Sequence, residues 1–170
     1  MRSRTLSTRD KPDAPKPARR NGAITEGRLA GLLGYAVRRA QVRVFQDFAE
    51  AMEALQLTPG QVGALLLIEA NQGLSQTQLG AGLGIDRSSV VPLLDRLEGS
   101  DLIRRTPHAS DRRTHALALT DKGAALIRRL LPVLEAHERR IAADLSPSER
   151  RVLMQLLDRV AAADSADRTF

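Results

Sequence analysis

The chain has 170 residues, 42% of them hydrophobic but only 2% aromatic, so its core has to be built from Leu, Val, Ile and Ala, in one domain with a tail. Cysteine is absent, which excludes disulfides, thiolate metal sites and cysteine redox sensing. The net charge of +6 is uneven: residues 1–25 hold seven basic against two acidic residues, the remainder nineteen against eighteen, so the basicity reports mainly a tail.

No apolar run approaches the ~18 residues that span a bilayer, and the basic N-terminus is not followed by an apolar stretch. Neither a membrane span nor a signal peptide is expected, and a cytoplasmic location is. Residues 1–25 mix Pro12, Pro15 and Pro17 with basic and small residues and show no apolar period. They are predicted to be a disordered basic tail, either simply solvated or attracted non-specifically to DNA phosphates.

From Glu26 to Leu55 apolar residues recur with helical spacing: Leu29, Leu32, Leu33, Ala36, Val37, Ala40, Val44, Phe45, Phe48, Met52 and Leu55. One long helix is predicted, in an N-terminal segment over 26–56. It outruns the core of a small domain, so part of its stripe is expected to meet another subunit.

Thr58-Pro-Gly-Gln61 has the form of a capping box with proline at the first helical position, and opens a helix to about Ala70. Ser75-Gln-Thr-Gln78 repeats the signal, and Asp86 caps a further helix that ends at Gly99. Leu102–Thr106 and Thr114–Leu119 read as strands joined by a polar loop. Thr120 then caps a helix that Pro132 should bend or weaken by one turn, and Ser146-Pro-Ser-Glu149 opens the last one. The predicted fold is mainly α with a small β-hairpin wing: a winged helix-turn-helix over 57–120 with flanking helices, the C-terminal ones over 121–165.

In such a unit the second helix enters the major groove. Leu79, Leu83, Ile85, Val90, Leu93, Leu94 and Leu97 form the inward set, leaving Arg87, Ser88, Ser89 and Val91 outward. Arginine binds guanine bidentately, serine bonds bases or phosphates, and a small apolar group meets a thymine methyl. Positive charge near a helix start opposes the macrodipole, so Arg87 needs a reason beyond solvation. Gln76, at the start of the preceding helix, joins the DNA-facing set.

Asp111-Arg112-Arg113 at the hairpin tip exposes two guanidinium groups beside one carboxylate, a combination suited to the narrow minor groove. Of Arg104 and Arg105 at the hairpin base, one is expected to contact phosphate or to pair with Asp111. Pro92 removes a backbone donor inside the reading helix, and a bend is expected there.

These residues resemble the winged helix-turn-helix regulators of the MarR (multiple antibiotic resistance regulator) family. The resemblance runs from about Leu29 to Ala162. It rests on Leu57-Thr-Pro-Gly-Gln61, Gly84-Ile-Asp-Arg-Ser-Ser-Val90, Asp95-Arg-Leu-Glu98, Asp111-Arg-Arg113 and Leu119-Thr-Asp-Lys-Gly123. It implies a homodimer joined by the first and last two helices, bound to a pseudo-palindromic double-stranded operator, usually to repress. It implies that Arg87, Ser88 and Ser89 face the major groove, that Arg113 enters the minor groove and that Asp111 steadies it.

The stretch Leu33–Gln41 with Phe45-Gln-Asp-Phe48 is similar to a subgroup that responds to aromatic acids or their CoA thioesters. On that reading Tyr35, Phe45 and Phe48 stack on a ring while Arg38 or Arg39 neutralises a carboxylate or phosphate. The other reading packs the aromatics in a dimer core. His108, His115 and His137 lack metal-ligand spacing, so no metal or cofactor is expected. Asp and Glu elsewhere are expected on solvated helical faces, and no enzyme motif is present. A sequence-tolerant DNA-coating protein using the basic tail, or a winged-helix protein-interaction module, are the competing readings.

Overall fold

The computed structural model describes residues 24–107 and 115–162, and the chain divides into two units, residues 1–37 and 38–170. In the first unit a 3-10 turn at Gly27–Gly31 is followed by Leu32 in an extended conformation. Helix α1 (Leu33–Met52) starts only there. A second 3-10 turn, Glu53–Leu55, follows it, and Gln56 is left-handed at φ 53°. The single helix expected over 26–55 is therefore cut at both ends. Gly27, at φ 53°, and Gly31 account for the N-terminal break, since each glycine costs a helix about 1 kcal/mol relative to alanine.

In the second unit five helices begin on a side-chain cap. Thr58, Ser75 and Ser146 make complete capping boxes with Gln61, Gln78 and Glu149, opening α2 (Pro59–Ala70), α3 (Gln76–Leu83) and α6 (Pro147–Ala161). Asp86 caps α4 (Arg87–Gly99), and Thr120 caps α5 (Asp121–Ile141). Helix α4 continues through Pro92 and α5 through Pro132. The Ser146 hydroxyl and backbone N–H both donate to the Glu149 carboxylate, which holds its pKa below the ordinary range.

Strands β1 (Ile103–Pro107) and β2 (His115–Leu119) pair antiparallel, with Ile103 opposite Leu119 and Pro107 opposite His115. Strand β1 is displaced by one residue from the expected Leu102–Thr106, β2 ends at Leu119 as expected, and Thr114 lies outside the described residues. The segment before α3 adds to the sheet, because Leu117 N–H donates to the Leu74 carbonyl at 2.8 Å.

The core is aliphatic, as the composition requires. Leu65 and Ile68 of α2, Leu79 of α3, and Val90, Leu94 and Leu97 of α4 meet Ile103 and Leu117 of the wing and Ile127 and Leu130 of α5. Phe48 and Met52 attach the end of α1 to it.

The start of α5 is fastened to the end of α4. Thr120 Oγ1 donates to the Asp101 carbonyl (2.7 Å) and Lys122 Nζ to the Ser100 carbonyl (2.7 Å). A Cβ at Gly123 would collide with the Leu102 carbonyl, so glycine is required by the closeness of that approach. The Leu-Thr-Asp-Lys-Gly run thus has a physical meaning: it locks the reading helix to the helix behind it.

Candidate nucleic-acid interface

Asp86 organises the first turn of α4. Its Oδ1 accepts from Ser88 Oγ at 2.6 Å and from Ser89 N–H at 2.9 Å. The Ser88 hydroxyl first, then the Ser89 amide, lowers the Asp86 pKa from its ordinary value. The Ser88 hydroxyl thus donates its one hydrogen bond to Asp86 and faces solvent mainly as an acceptor.

Arg87, Ser88 and Ser89 are exposed and Val91 is half-buried, as is Gln76 at the start of α3. Arg87 has no ion-pair or hydrogen-bond partner among the described residues. These side chains sit on one end of a helix whose opposite face, Val90, Leu94 and Leu97, is buried.

At the wing base the two neighbouring arginines divide. Arg104 is exposed and unpaired among the described residues. Arg105 turns the other way, toward α4. Its Nη2 lies 2.5 Å from Asp95 Oδ1 and its backbone N–H donates to Glu98 Oε1 at 3.2 Å. Its Nε is 3.5 Å from Glu98 Oε2 without hydrogen-bond geometry. Strand alternation explains the split, since adjacent side chains point to opposite faces. Arg105 thereby braces the wing against the reading helix. Asp111, Arg112 and Arg113 lie outside the described residues.

On α1 the residues singled out for a ligand separate as well. Arg38 is exposed and donates from Nη1 to Gln41 Oε1 at 3.2 Å; Arg39 is exposed too. Phe45 is 52% exposed, whereas Phe48 is 8% exposed and sits edge-on to the His137 ring at 5.5 Å. Phe48 is thus a core residue. Tyr35, in the first unit, directs its hydroxyl toward Glu26 Oε1 at 3.5 Å.

Asp47 corrects the expectation that the acidic residues are solvated. It is 3% exposed, and His137 beside it is 2% exposed. Asp47 Oδ1 accepts from His137 Nδ1 (2.7 Å) and Arg140 Nη2 (2.8 Å), and Oδ2 accepts from Arg140 Nε (3.0 Å). The bidentate guanidinium and then the imidazole hold the Asp47 carboxyl well below the ordinary carboxylate range; Asp47 in turn raises the Arg140 pKa. A signal was available: His137 follows Leu130 by seven and Leu134 by three, which places it on the inward face of α5.

A model of the MarR family matches residues 57–115, the span that contains the capped helix pair and most of the wing. A putative transcriptional regulatory protein for the hcr operon of Thauera aromatica is 36% identical over 152 residues, covering 88% of this chain and 92% of the relative. The chain belongs to the MarR family. Among solved MarR-type structures, that of the transcriptional repressor CouR bound to a 23-mer DNA duplex is 44% identical with a TM-score of 0.78, covering 82% of this chain and 99% of that one. CouR bound to p-coumaroyl-CoA is 41% identical with a TM-score of 0.75, covering 84% and 100%.

As a member of this family the chain is a DNA-binding transcriptional regulator of the winged helix-turn-helix type, not an enzyme. Among the described residues no group of His, Asp and Glu is placed to hold a metal ion. Among the same residues no helix is long and apolar enough to cross a membrane.

Proposed function

We propose that this chain is a homodimeric, sequence-specific repressor released from a pseudo-palindromic operator by a small aromatic acid or its CoA thioester. The observation that carries the dimer is α6. None of its 15 residues is buried, and Val152, Leu153, Leu156, Leu157 and Val160 form a stripe between 43% and 53% exposed. A continuous apolar stripe on a well-capped helix needs a cover, and a second copy supplies one by two-fold symmetry. That symmetry sets two α4 helices about one DNA turn apart.

In this reading Arg87, Ser88, Ser89 and Val91 read base edges, Gln76 and Arg104 contact the backbone, and Arg105 positions the wing. The wing residues Asp111, Arg112 and Arg113 take the minor groove by resemblance to the family. Residues 26–56 and 121–165 supply the dimer contacts, and 57–120 the DNA-binding lobe. On the exposed side of α1, Arg38 and Arg39 offer charge and Phe45 an aromatic face to the ligand, in keeping with CouR bound to p-coumaroyl-CoA.

The test is selection of bound duplexes from a random library, followed by titration with p-coumaroyl-CoA, p-coumarate and benzoate. A palindrome enriched and bound with nanomolar affinity, then released by one of these, supports the proposal. No enriched sequence overturns the operator reading, and failure of all aromatic ligands overturns the release reading. The +5 charge of residues 1–25 favours a second reading, sequence-tolerant coating of DNA by the tail. Loss of all binding on deleting 1–25 supports that one instead.

A further inference from the structure

At the elbow between α5 and α6 lies a cleft of about 500 Å³, lined by Arg139, Ala142, Leu145, Pro147, Arg150, Arg151 and Met154. Three guanidinium groups stand around an apolar floor, and no carboxylate lines it. Arg150 is already paired, its Nη2 lying 2.7 Å from Glu138 Oε2. Arg139 and Arg151 are exposed and have no partner among the described residues. Leu145 and Met154 are also exposed, Met154 by 56%.

The helix itself separates this cleft from the proposed dimer stripe. Pro147, Arg150, Arg151 and Met154 are spaced i, i+3, i+4 and i+7, so they share one face. At about 100° per residue that face is turned roughly 140° from the stripe of Val152, Leu153, Leu156, Leu157 and Val160. Leu157 lies only about 20° from Arg150, so a second copy on the stripe borders that side of the cleft, while Arg151, about 100° from Val152, stays clear of it. The ordinary explanation of a terminal arginine covers only Arg139, in the last turn of α5, where it suits the helix dipole. Arg151 is the fifth residue of α6, beyond its first turn, so the helix dipole gives no reason for it.

The geometry points to a second ligand site here, distinct from the α1 face, that takes an organic carboxylate with a flat apolar body. The body rests on Leu145, Pro147 and Met154 while Arg139 and Arg151 hold the carboxylate, the planar guanidinium matching it in shape and charge. The cleft volume is within the range of small-molecule sites. The inference stands on this cleft alone and is independent of whether a ligand acts at α1.

The chain has three methionines, Met1, the core residue Met52 and Met154 in the cleft, so methyl resonances report the site directly. Full-length protein labelled at methionine methyls is titrated with 2-naphthoate and, separately, with the neutral 2-naphthamide. The Met154 methyl is expected to shift saturably with naphthoate and at least tenfold more weakly with the amide. The double variant Arg139→Gln/Arg151→Gln is expected to raise the apparent Kd at least tenfold while its thermal midpoint and operator affinity stay unchanged. An unmoved Met154 methyl, equal binding of acid and amide, or an unchanged Kd in the double variant would each overturn the assignment.

Discussion

Asp47 and His137 are ninety positions apart in the chain, yet Oδ1 and Nδ1 approach to 2.7 Å inside it. With Arg140 closing on the same carboxylate, this buried cluster fastens the C-terminal half of α1 to α5. It joins two of the elements assigned to the dimer, and it places a charge where the rest of the core is aliphatic.

The cluster carries a pH signature. The Asp47 carboxyl is held below its ordinary range in the native state, so the unfolded chain binds that proton more tightly. Its stabilisation is complete above about pH 4 and is lost as pH falls through the native value. Thermal unfolding across pH 2.5 to 6 should show a shallower acid-side slope for Asp47→Asn than for the wild type. Parallel slopes would remove Asp47 as the source.

His137→Ala takes away both the hydrogen bond to Asp47 and the ring against Phe48. A loss of about 2–4 kcal/mol is expected, from the cavity and the lost hydrogen bond together, with Arg140 still holding the carboxylate. Urea unfolding followed by circular dichroism measures it; a loss below about 1 kcal/mol would mean that the pocket collapses without cost.

Gly123→Ala puts a methyl group into the Leu102 carbonyl. Backbone on both sides leaves little room to yield, so destabilisation of about 2–3 kcal/mol is expected. The junction of α4 and α5 should loosen first, visible as faster amide exchange at Thr120, whose N–H donates across it to the Leu102 carbonyl.

The two wing-base arginines should respond differently. Arg105→Gln breaks the brace to Asp95 and Glu98; operator affinity is expected to fall about tenfold with under ~1 kcal/mol lost from folding stability. Arg104→Ala should weaken binding evenly across sequences and reduce the salt slope by about one. Fluorescence anisotropy at several salt concentrations distinguishes them, and identical behaviour would refute the division.

Leu156→Glu sets a carboxylate in the middle of the exposed stripe on α6. If that stripe is the dimer seam, the dimer dissociation constant rises about a hundredfold or more, since an unpaired charge is costly to bury. Sedimentation velocity reads the outcome directly.

Much of the fold was legible because its determinants are local. Thr58, Ser75, Asp86, Thr120 and Ser146 each announce a helix start within three or four residues of chain, and each is a cap in the structure. The apolar period of α4 likewise separates Val90, Leu94 and Leu97 from Arg87, Ser88 and Ser89 without reference to the rest of the molecule. Where periodicity alone was used, it overreached. The apolar recurrence through Leu29 and Leu32 reads as continuous helix, but the glycines among those residues set the backbone otherwise.

Three things were decided only by the tertiary structure, because each depends on a partner distant in sequence. Phe45 and Phe48 look alike along the chain, and only the arrival of α5 makes one a core residue beside His137 and leaves the other exposed. Arg104 and Arg105 look alike too, until Asp95 and Glu98 claim the second. Asp47 is a residue type expected at the surface, and it is the packing of buried His137 against it, with Arg140 closing on it from the exposed side, that makes it an internal charge. Local hydrogen bonding and period determined which segments are helix or strand; the pairing of charges across segments determined what their side chains are free to touch.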